Sequence, residues 1–531
     1  MPNTPLTPLR CLHRAIDLFG DRPGVVCGDQ RFTYGQFGDR CQRLATGLTA
    51  QGIAPGDRVA YLSLNTHRLL EGYFGVLQAG AILLPLNVRL TPLELAGILN
   101  DSGARMLLFE PDFAPLVSAL KPNCPSIDFY VALDELPAAP ADLAYEEILH
   151  AGRPERADIY SVDENSIGEL FYTSGSTGRP KGVALSHRTL YLHALSLYTV
   201  YQDVETMVNL HTIPLFHANG WGHPQCSTYF GVKQVMVRKF EPGAVFRLIE
   251  EHKATDMYLV PVMANMLLNS PEVGKHNVSS LRRIMIGGAA PSPALIERVE
   301  KAFGCGVYGG YGLSETGPIL AAAIPKTGLR HASEQERYRR QAMTGWPLIG
   351  NEIRVVDRDM NDVPKNSRTI GEIVVRGDHV MQGYWNDPRA TSDAFTGGWL
   401  HTGDMATWDA EGFLQIVDRR KEIIISGGEN VSSVEIENAI FSHPGVLEVA
   451  VVAAPDEQWG EVPAAIIVPK PGHFLTEKDI RDHLSGRIAR FKIPRHYEFR
   501  TEPLPKTGTG KVRKVELKEA FWAGKLKKVQ G

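Results

Sequence analysis

The sequence predicts an α/β protein with a separate, smaller α+β unit at its C-terminal end. Short apolar segments alternate with helical patterns through most of the chain. Residues 284–303 illustrate the unit: an apolar strand, a turn at Gly287 and Gly288, then Ser292 and Pro293 as N-cap and first residue of a helix. The repetition of this strand, turn and helix order favours layered sheets and helices.

A charged run beginning at Asp418 interrupts that alternation. The strand-like residues 413–417 precede it, and apolar residues 423–425 follow. We therefore expect two domains, 1–417 and 418–531. Within the second, Ser432 and Glu435 predict a capping box that opens a helix, and residues 446–452 and 464–468 predict strands.

Composition excludes several classes of protein. The 531 residues carry a formal net charge of −4, so no overall basic field favours nucleic acid. The most apolar early stretch, residues 76–86, is interrupted by Gln78, Gly80 and Pro85 and is too short for a membrane span, so we expect buried core and no integral membrane segment. No secretory signal is expected. Six cysteines without Cys-x-x-Cys spacing argue against zinc or disulfides and favour a reducing, cytoplasmic compartment.

A loop rich in glycine and hydroxyl groups follows a strand-like segment at residues 170–172. Glycines allow the backbone to approach a ligand, while N–H groups, hydroxyls and a lysine can bind phosphate oxygens. Lys181 is followed by Gly182, which does not fit a Walker-type phosphate loop. A polar surface turn is the alternative interpretation. The candidate phosphate ligands are Thr173, Ser174, Gly175, Ser176, Thr177, Gly178 and Lys181.

Further motifs follow in order along the chain. A segment at 214–221 contains His217, Gly220 and Trp221; a glycine turn contains Gly288, Ala289 and Ala290; and a third segment contains Gly310, Tyr311, Gly312, Ser314, Glu315 and Thr316. Asp404 follows a Thr-Gly turn, Asp418 and Arg419 open the charged run, and Lys511 ends a Gly/Thr-rich loop. Each motif alone is compatible with a structural role.

Taken together, these motifs resemble the adenylate-forming (AMP-binding) superfamily, in the acyl-CoA synthetase branch, and are most like medium- and long-chain fatty acyl-CoA synthetases. The resemblance extends from residue 57 to Lys514. It implies a large N-terminal multi-sheet α/β domain joined by a hinge to a small C-terminal α+β domain. It also implies an ATP-dependent acid:CoA ligase that forms acyl-AMP and pyrophosphate, then acyl-CoA and AMP.

The resemblance implies specific roles for the motif residues. Lys511, Glu315 and Thr173 would be catalytic, and Thr177 and Glu315 would hold Mg²⁺. ATP or AMP would contact Thr173, Ser174, Gly175, Ser176, Thr177, Gly178, Lys181, Gly288, Ala289, Ala290, Gly310, Tyr311, Gly312, Ser314, Glu315, Thr316, Asp404, Ile416, Arg419 and Lys511.

The resemblance also implies the acyl and coenzyme A sites. The acyl pocket would contain His217, Gly220, Trp221, Gly288, Gly310 and Gly312. Coenzyme A would contact Ser426, Gly427, Gly428, Glu429 and Arg490, with Asp418 as the hinge pivot. The resemblance favours a fatty acid as substrate, and a short-chain or aryl acid is the alternative because Trp221 would equally shorten the pocket.

Other interpretations stay open at this point. A peptide-synthetase module would normally precede a carrier domain, and a free-standing carrier protein could replace coenzyme A. A non-catalytic nucleotide-binding relative is a further alternative, although Lys511, Glu315 and Asp404 are all present. The expected partners are small molecules, namely a carboxylic acid, ATP and coenzyme A. The sequence leaves the oligomeric state open and admits a homodimer.

Overall fold

The computed structural model describes residues 4–134, 140–173, 180–201, 203–327, 333–426, 429–506 and 512–523. For residues 429 and 430 the description covers the backbone alone. Within these ranges, no helix combines the length and the apolar character that crossing a bilayer requires. The stretch at residues 76–86 lies at the end of one helix and in the strand that follows, and it is mostly buried, as predicted; Gln78 and Ala79 are half-buried and Gly80 is exposed.

Helices and strands alternate along most of the described chain. The α-helices are Leu9–Phe19, Tyr34–Ala50, His67–Gln78, Pro92–Ser102, Ala114–Leu120, Tyr145–Ala151, His187–Ser196, His223–Tyr229, Pro242–His252, Pro261–Leu268, Pro293–Phe303, Glu334–Gln341, Pro388–Ala394, Ser433–Phe441, Glu477–Leu484 and Lys514–Trp522.

The largest sheet has nine strands and is parallel at its centre. In spatial order its strands are Trp346–Pro347, Ile319–Ala322, Gly306–Gly312, Arg283–Ile286, Asp256–Leu259, Val208–His211, Lys233–Met236, Pro23–Cys27 and Gln30–Thr33. The predicted strand, turn and helix at 284–303 is confirmed. The Ser292 side chain accepts a hydrogen bond from the Leu295 N–H at 3.1 Å, and Pro293 is the first helical residue.

A second sheet has eight strands. In spatial order they are Gly383–Tyr384, Lys181–Ser186, Ile167–Thr173, Ile82–Pro85, Arg58–Leu62, Met106–Phe109, Phe129–Ala132 and Leu143–Ala144. One hydrophobic core joins this sheet to the first, because it contains Val25 of the nine-stranded sheet and Val59 of the eight-stranded sheet. Phe37 and Phe74, from two helices, pack edge to face in the same core, with ring centroids 5.9 Å apart.

A third, antiparallel sheet of five strands carries the charged run. Its strands are Asn351–Val356, Gly371–Gly377, Trp399–Trp408, Phe395–Thr396 and Leu414–Arg419. The strand predicted for 413–417 continues through Arg419, because Met405 and Asp404 of the neighbouring strand pair with Asp418 and Arg419. Charge along these residues therefore marks the end of a strand rather than a loop.

A fourth sheet contains only strands that follow residue 423. They are Glu429–Val431, Ile424–Ser426, Gly460–Pro469, Val446–Asp456 and His496–Phe499. The two strands predicted at 446–452 and 464–468 are confirmed, and both are longer than expected. Ser432 caps the helix Ser433–Phe441 by accepting the Glu435 N–H at 3.1 Å. The Glu435 carboxylate pairs with Lys492 at 2.7 Å, so in this described segment half of the predicted capping box is formed.

Candidate active site

The predicted phosphate loop joins two paired strands of the eight-stranded sheet. Thr173 ends the strand Ile167–Thr173, Lys181 begins Lys181–Ser186, and the two residues are antiparallel partners. Ser174, Gly175, Ser176, Thr177 and Gly178 lie outside the described residues. The two ends of the loop are thus fixed by strand pairing.

Tyr384 connects the base of this loop to Glu315. Its hydroxyl donates a hydrogen bond to Glu315 Oε1 at 2.9 Å, and the Lys181 ammonium lies 4.8 Å from its ring centroid. Burial, first, and the Glu315 carboxylate, second, raise the pKa of Tyr384, so the phenol is a neutral donor. The motif analysis missed Tyr384, because its position depends on the pairing of Gly383–Tyr384 with the strand Lys181–Ser186.

Glu315 lies in a short turn, Ser314–Thr316, that buried side chains hold in place. The Thr316 hydroxyl is fully buried and donates to the Pro318 carbonyl at 2.7 Å. Burial lowers the pKa of His193, whose neutral ring accepts the Ile319 N–H at 2.9 Å. The protein thereby fixes the direction of the Glu315 side chain, and the Thr316 hydroxyl is directed at the backbone of the turn.

Tyr311, Asp404 and Arg419 meet where the nine-stranded and five-stranded sheets approach each other. The Tyr311 hydroxyl donates to Asp404 Oδ2 at 2.7 Å, and Arg419 Nε lies 3.1 Å from Asp404 Oδ1. The Asp404 side chain is only 5% exposed. Asp404 raises the pKa of Arg419, and burial followed by Asp404 raises that of Tyr311. A buried carboxylate with one cationic and one phenolic partner is well suited to accept hydroxyl donors.

The turn after the strand Arg283–Ile286 lies beside this group. Gly288 and Ala289 are exposed, Ala290 is half-buried, and Gly287 is buried. A Cβ at Gly287 would lie 2.9 Å from the Trp221 ring and 3.0 Å from the Gly310 carbonyl oxygen, so only glycine fits here. Ile416, of the strand Leu414–Arg419, is half-buried and is held by a hydrogen bond from its N–H to the Thr344 hydroxyl at 3.0 Å.

An apolar cavity lies beside the same turn. Its lining residues are Arg89, Ile213, Pro214, His217, Trp221, Val260, Met263 and Gly288. Trp221 forms part of the wall, and its ring packs edge-on against Tyr258 at a centroid distance of 6.3 Å. The lining is therefore suited to an apolar group.

Only half of the predicted acyl-pocket residues line this cavity. His217, Trp221 and Gly288 do. Gly220 is buried in the turn that carries Trp221. Gly310 and Gly312 lie behind the wall, where Met285 Sδ and the Pro318 carbonyl oxygen fill the space that a Cβ would need. Arg89, Val260 and Met263 were not predicted, because each is far from the motifs along the chain.

The predicted hinge residue, Asp418, is buried and accepts two backbone hydrogen bonds. Asp418 is 1% exposed; its Oδ1 accepts the Arg419 N–H at 2.8 Å and its Oδ2 accepts the Ser433 N–H at 2.7 Å. Nearby, Lys514 Nζ lies 2.8 Å from Glu437 and donates to the Ser433 hydroxyl at 2.6 Å. Sequence analysis did not identify this buried pair.

The predicted coenzyme A residues are distributed over the C-terminal part. Ser426 ends a strand, Glu429 begins the next, and Arg490 is exposed in the short turn Arg490–Lys492. Gly427, Gly428 and Lys511 lie outside the described residues. An antiparallel bridge between Lys506 and Val512 joins the two sides of the loop that contains Lys511.

Two protein-family models match this chain. Residues 12–385 match the family described as AMP-binding enzyme, and residues 435–511 match the AMP-binding enzyme C-terminal domain. The long-chain-fatty-acid–CoA ligase of Thermus thermophilus is 39% identical over 519 residues, which cover 96% of this chain and 94% of that protein. The peroxisomal trans-cinnamate:CoA ligase of Petunia hybrida is 35% identical over 539 residues, with 97% and 94% covered.

A solved structure also superimposes on nearly the whole chain. The anthranilate CoA ligase AuaEII in complex with anthranoyl-AMP has a TM-score of 0.88, is 27% identical, and covers 98% of both chains. The chain therefore belongs to the AMP-binding enzyme family, and the predicted adenylate-forming fold is confirmed. Within that family it is an acyl-CoA synthetase, an acid–thiol ligase with ATP and coenzyme A as substrates.

Proposed function

We propose that this ligase carries out two steps at one site. In the first, an oxygen of the acid attacks the α-phosphorus of ATP, the bond to the bridging oxygen breaks, and pyrophosphate leaves. In the second, the coenzyme A sulfur attacks the acyl carbonyl, the bond to AMP breaks, and the thiol proton passes to solvent. The acid is already ionised near neutral pH, so the first step needs no general base.

The contact of Tyr311, Asp404 and Arg419 is the observation that carries the nucleotide assignment. Asp404 would accept both ribose hydroxyls, with Arg419 as a second ribose contact. The Tyr311 ring and Ile416 would flank the adenine, and the turn of Gly288, Ala289 and Ala290 would approach its edge. Gly310 and Gly312 support this group from behind, through the backbone of the Tyr311 strand.

The triphosphate would lie between the loop at Thr173–Gly178, Lys181 and the turn at Ser314–Thr316. Glu315 fits a divalent cation, because Tyr384 fixes its carboxylate beside the hydroxyl-rich loop that contains Thr177. Bound there, Mg²⁺ would offset the negative charge of the phosphates. Within the described ranges, no cluster of three or more His, Cys, Asp or Glu side chains could hold a metal. Mg²⁺ would therefore need phosphate oxygens as ligands besides Glu315 and Thr177. Lys511 would stabilise the charge that develops on the α-phosphate.

The thiol step would use the C-terminal part. We divide the chain into 1–417 and 418–531, with Asp418 as the pivot, because the fourth sheet and its core contain only residues after 423. Ser426, Gly427, Gly428 and Glu429 would line the path of the thiol, and the exposed Arg490 would contact the coenzyme A phosphates.

The acid is proposed to be a fatty acid whose chain enters the cavity at Trp221. The apolar lining of that cavity and the likeness to the Thermus thermophilus ligase support this proposal. A short-chain or aryl acid is the second candidate, because the Trp221 ring in the cavity wall would equally shorten the space for the acid. The Petunia and AuaEII proteins, described as ligases of aromatic acids, support this candidate.

A cytoplasmic location is also proposed. All six cysteines are free, which fits a reducing compartment. The Petunia relative is described as peroxisomal. The test is therefore the location of a fluorescent fusion of this chain, expressed in the organism that encodes it.

The decisive test is a panel of acids in two assays, pyrophosphate exchange and coenzyme A thioester formation. Butyrate, octanoate, palmitate, benzoate and cinnamate are supplied separately, with and without a chelator of Mg²⁺. We expect exchange and thioester with at least one fatty acid, and loss of both on chelation. Preference for benzoate or cinnamate would replace the fatty-acid proposal with the aryl one, and exchange that survives chelation would remove the role of Mg²⁺.

A further inference from the structure

A buried carboxyl group is joined by hydrogen bonds to the turn that carries Trp221. Glu169, in the strand Ile167–Thr173, is 0% exposed, and within the described residues no cation forms an ion pair with it. Its Oε1 accepts a hydrogen bond from Gln225 Nε2 at 2.7 Å. Burial raises the pKa of Glu169 well above its usual value, which favours the neutral acid. The adenylation step does not use it.

Gln225 extends this contact toward the cavity. The same Nε2 donates to Asn219 Oδ1 at 3.0 Å, and Asn219 Nδ2 donates to the Gly317 carbonyl at 3.3 Å. Gln225 and Asn219 are 0% and 1% exposed. The chain of hydrogen bonds therefore joins the strand that ends at Thr173, the turn that carries Trp221, and the turn that carries Glu315.

The turn at the centre of this chain has an unfavourable backbone. Ala218, Asn219, Gly220, Trp221 and Gly222 all have positive φ, at 45°, 53°, 49°, 59° and 78°. Three of them are not glycine, and L-residues in this region are strained by their Cβ. Such a run persists only where surrounding contacts over-determine it. The hydrogen bonds to Asn219 supply such contacts.

This turn sets the position of the Trp221 ring. The ring lines the acid cavity, occupies the space that a Cβ at Gly287 would need, and packs against Tyr258. A shift of the turn would move the indole and change the space available in the acid cavity.

We propose that Glu169 is a positioning residue for acid specificity, which acts through Gln225 and Asn219 to hold the left-handed turn that places Trp221 in the wall of the acid cavity. This inference rests on the proposed function, because it takes the cavity at Trp221 as the site of the acyl group. Glu169 is not one of the residues that line the acid cavity. Its proposed effect is on which acids fit into that cavity.

The test compares two substitutions at Glu169 and reads the ratio of kcat/KM for octanoate to that for butyrate. Glu169→Leu removes the acceptor at similar size, and Glu169→Gln keeps a neutral oxygen facing Gln225. We expect Glu169→Leu to shift the ratio toward the longer acid by about tenfold, since one displaced apolar contact is worth that much discrimination. Glu169→Gln should retain the wild-type ratio, and the KM for ATP should stay unchanged in both.

A double substitution separates positioning from general destabilisation. In a Trp221→Ala background the ring is absent, so Glu169→Leu should cause no further shift in the ratio. Glu71→Gln alters another fully buried carboxyl, bonded to Arg40 and Tyr145 away from the cavity, and should leave the ratio unchanged. If Glu169→Leu does not fold, Gln225→Leu breaks the same connection from its other end.

An unchanged ratio in Glu169→Leu, or an equal shift with and without Trp221, would overturn the inference while leaving the proposed function intact. A changed ratio in Glu169→Gln would also overturn the inference. Failure of the proposed function looks different: the wild-type protein would form no thioester with any acid, and both proposals would fall together.

Discussion

At the residue scale, the site depends on side chains whose partners are held before any substrate binds. Tyr384 fixes Glu315, and Tyr311 and Arg419 fix the two oxygens of Asp404. Preorganised donors and acceptors cost no reorganisation at the moment of reaction, so they favour the charged transition state over the ground state. The two carboxylates of the proposed nucleotide site are thus oriented by neighbouring protein groups.

Lys511 supports a prediction that separates the two half-reactions. In Lys511→Ala we expect pyrophosphate exchange to fall by at least about a hundredfold, because a charge-stabilising group is lost from the adenylation transition state. Thioester formation from supplied acyl adenylate should be largely retained, since that step no longer needs the lysine. Both rates are measured on the same preparation. Equal loss of the two activities would reject the role given to Lys511.

At the element scale, the helix Lys514–Trp522 is attached to the helix Ser433–Phe441 by an ion pair between Lys514 and Glu437, whose side chains are only 14% and 19% exposed. Lys514→Met should lower the free energy of unfolding of this part by about 3 kcal/mol, because Glu437 is left largely buried without its cation. Burial raises the pKa of Glu437, so protonation relieves the unpaired charge and the deficit should shrink as pH falls below 7. Urea unfolding at several pH values measures both effects.

Lys518 provides a matched control on the same helix. Its ammonium lies 3.5 Å from Glu461 and is 33% exposed, so Lys518→Met should cost less than about 1 kcal/mol and show little pH dependence. A loss in Lys514→Met no larger than in Lys518→Met would contradict the importance of the buried pair. So would a deficit that grows on acidification.

At the scale of the whole molecule, the proposed nucleotide site takes residues from three sheets. Lys181 comes from the eight-stranded sheet, Tyr311 from the nine-stranded sheet and Asp404 from the third. A ligand that binds only when these sheets are assembled stabilises the assembly, by about 2.7 kcal/mol at a hundred times its Kd. Nucleotide binding should therefore be visible in global stability.

At an AMP concentration a hundred times its Kd, we expect the Tm to rise by about 2–3 °C in a thermal unfolding experiment. Asp404→Ala should reduce that shift to under about 1 °C, because the ribose hydroxyls lose their acceptor. Asp362→Ala removes an exposed carboxylate of the third sheet's hairpin, paired with Arg354, and should leave the shift unchanged. An undiminished shift in Asp404→Ala would show that the ribose lies elsewhere.

Local elements were predictable where one physical rule decided them. The strand and helix around Gly287 and the N-cap at Ser432 follow from short-range patterns. The end of the strand at Arg419 was not predictable, because backbone pairing with Asp404 of the preceding strand decides it, and the charged side chains alone predict a loop. Tyr384 and Arg89 were missed because no motif surrounds them.

The sequence by itself determined the class of fold, the membership of an ATP-using acid–thiol ligase family and the order of its motifs. These depend on residue types and spacings, which the chain carries without folding. Only the tertiary structure decided which residues line the acid cavity, how Tyr384 reaches Glu315, and that the buried Glu169 is connected through Gln225 to the turn of Trp221. Such contacts join residues distant in the chain, and burial and strand pairing set them rather than local sequence.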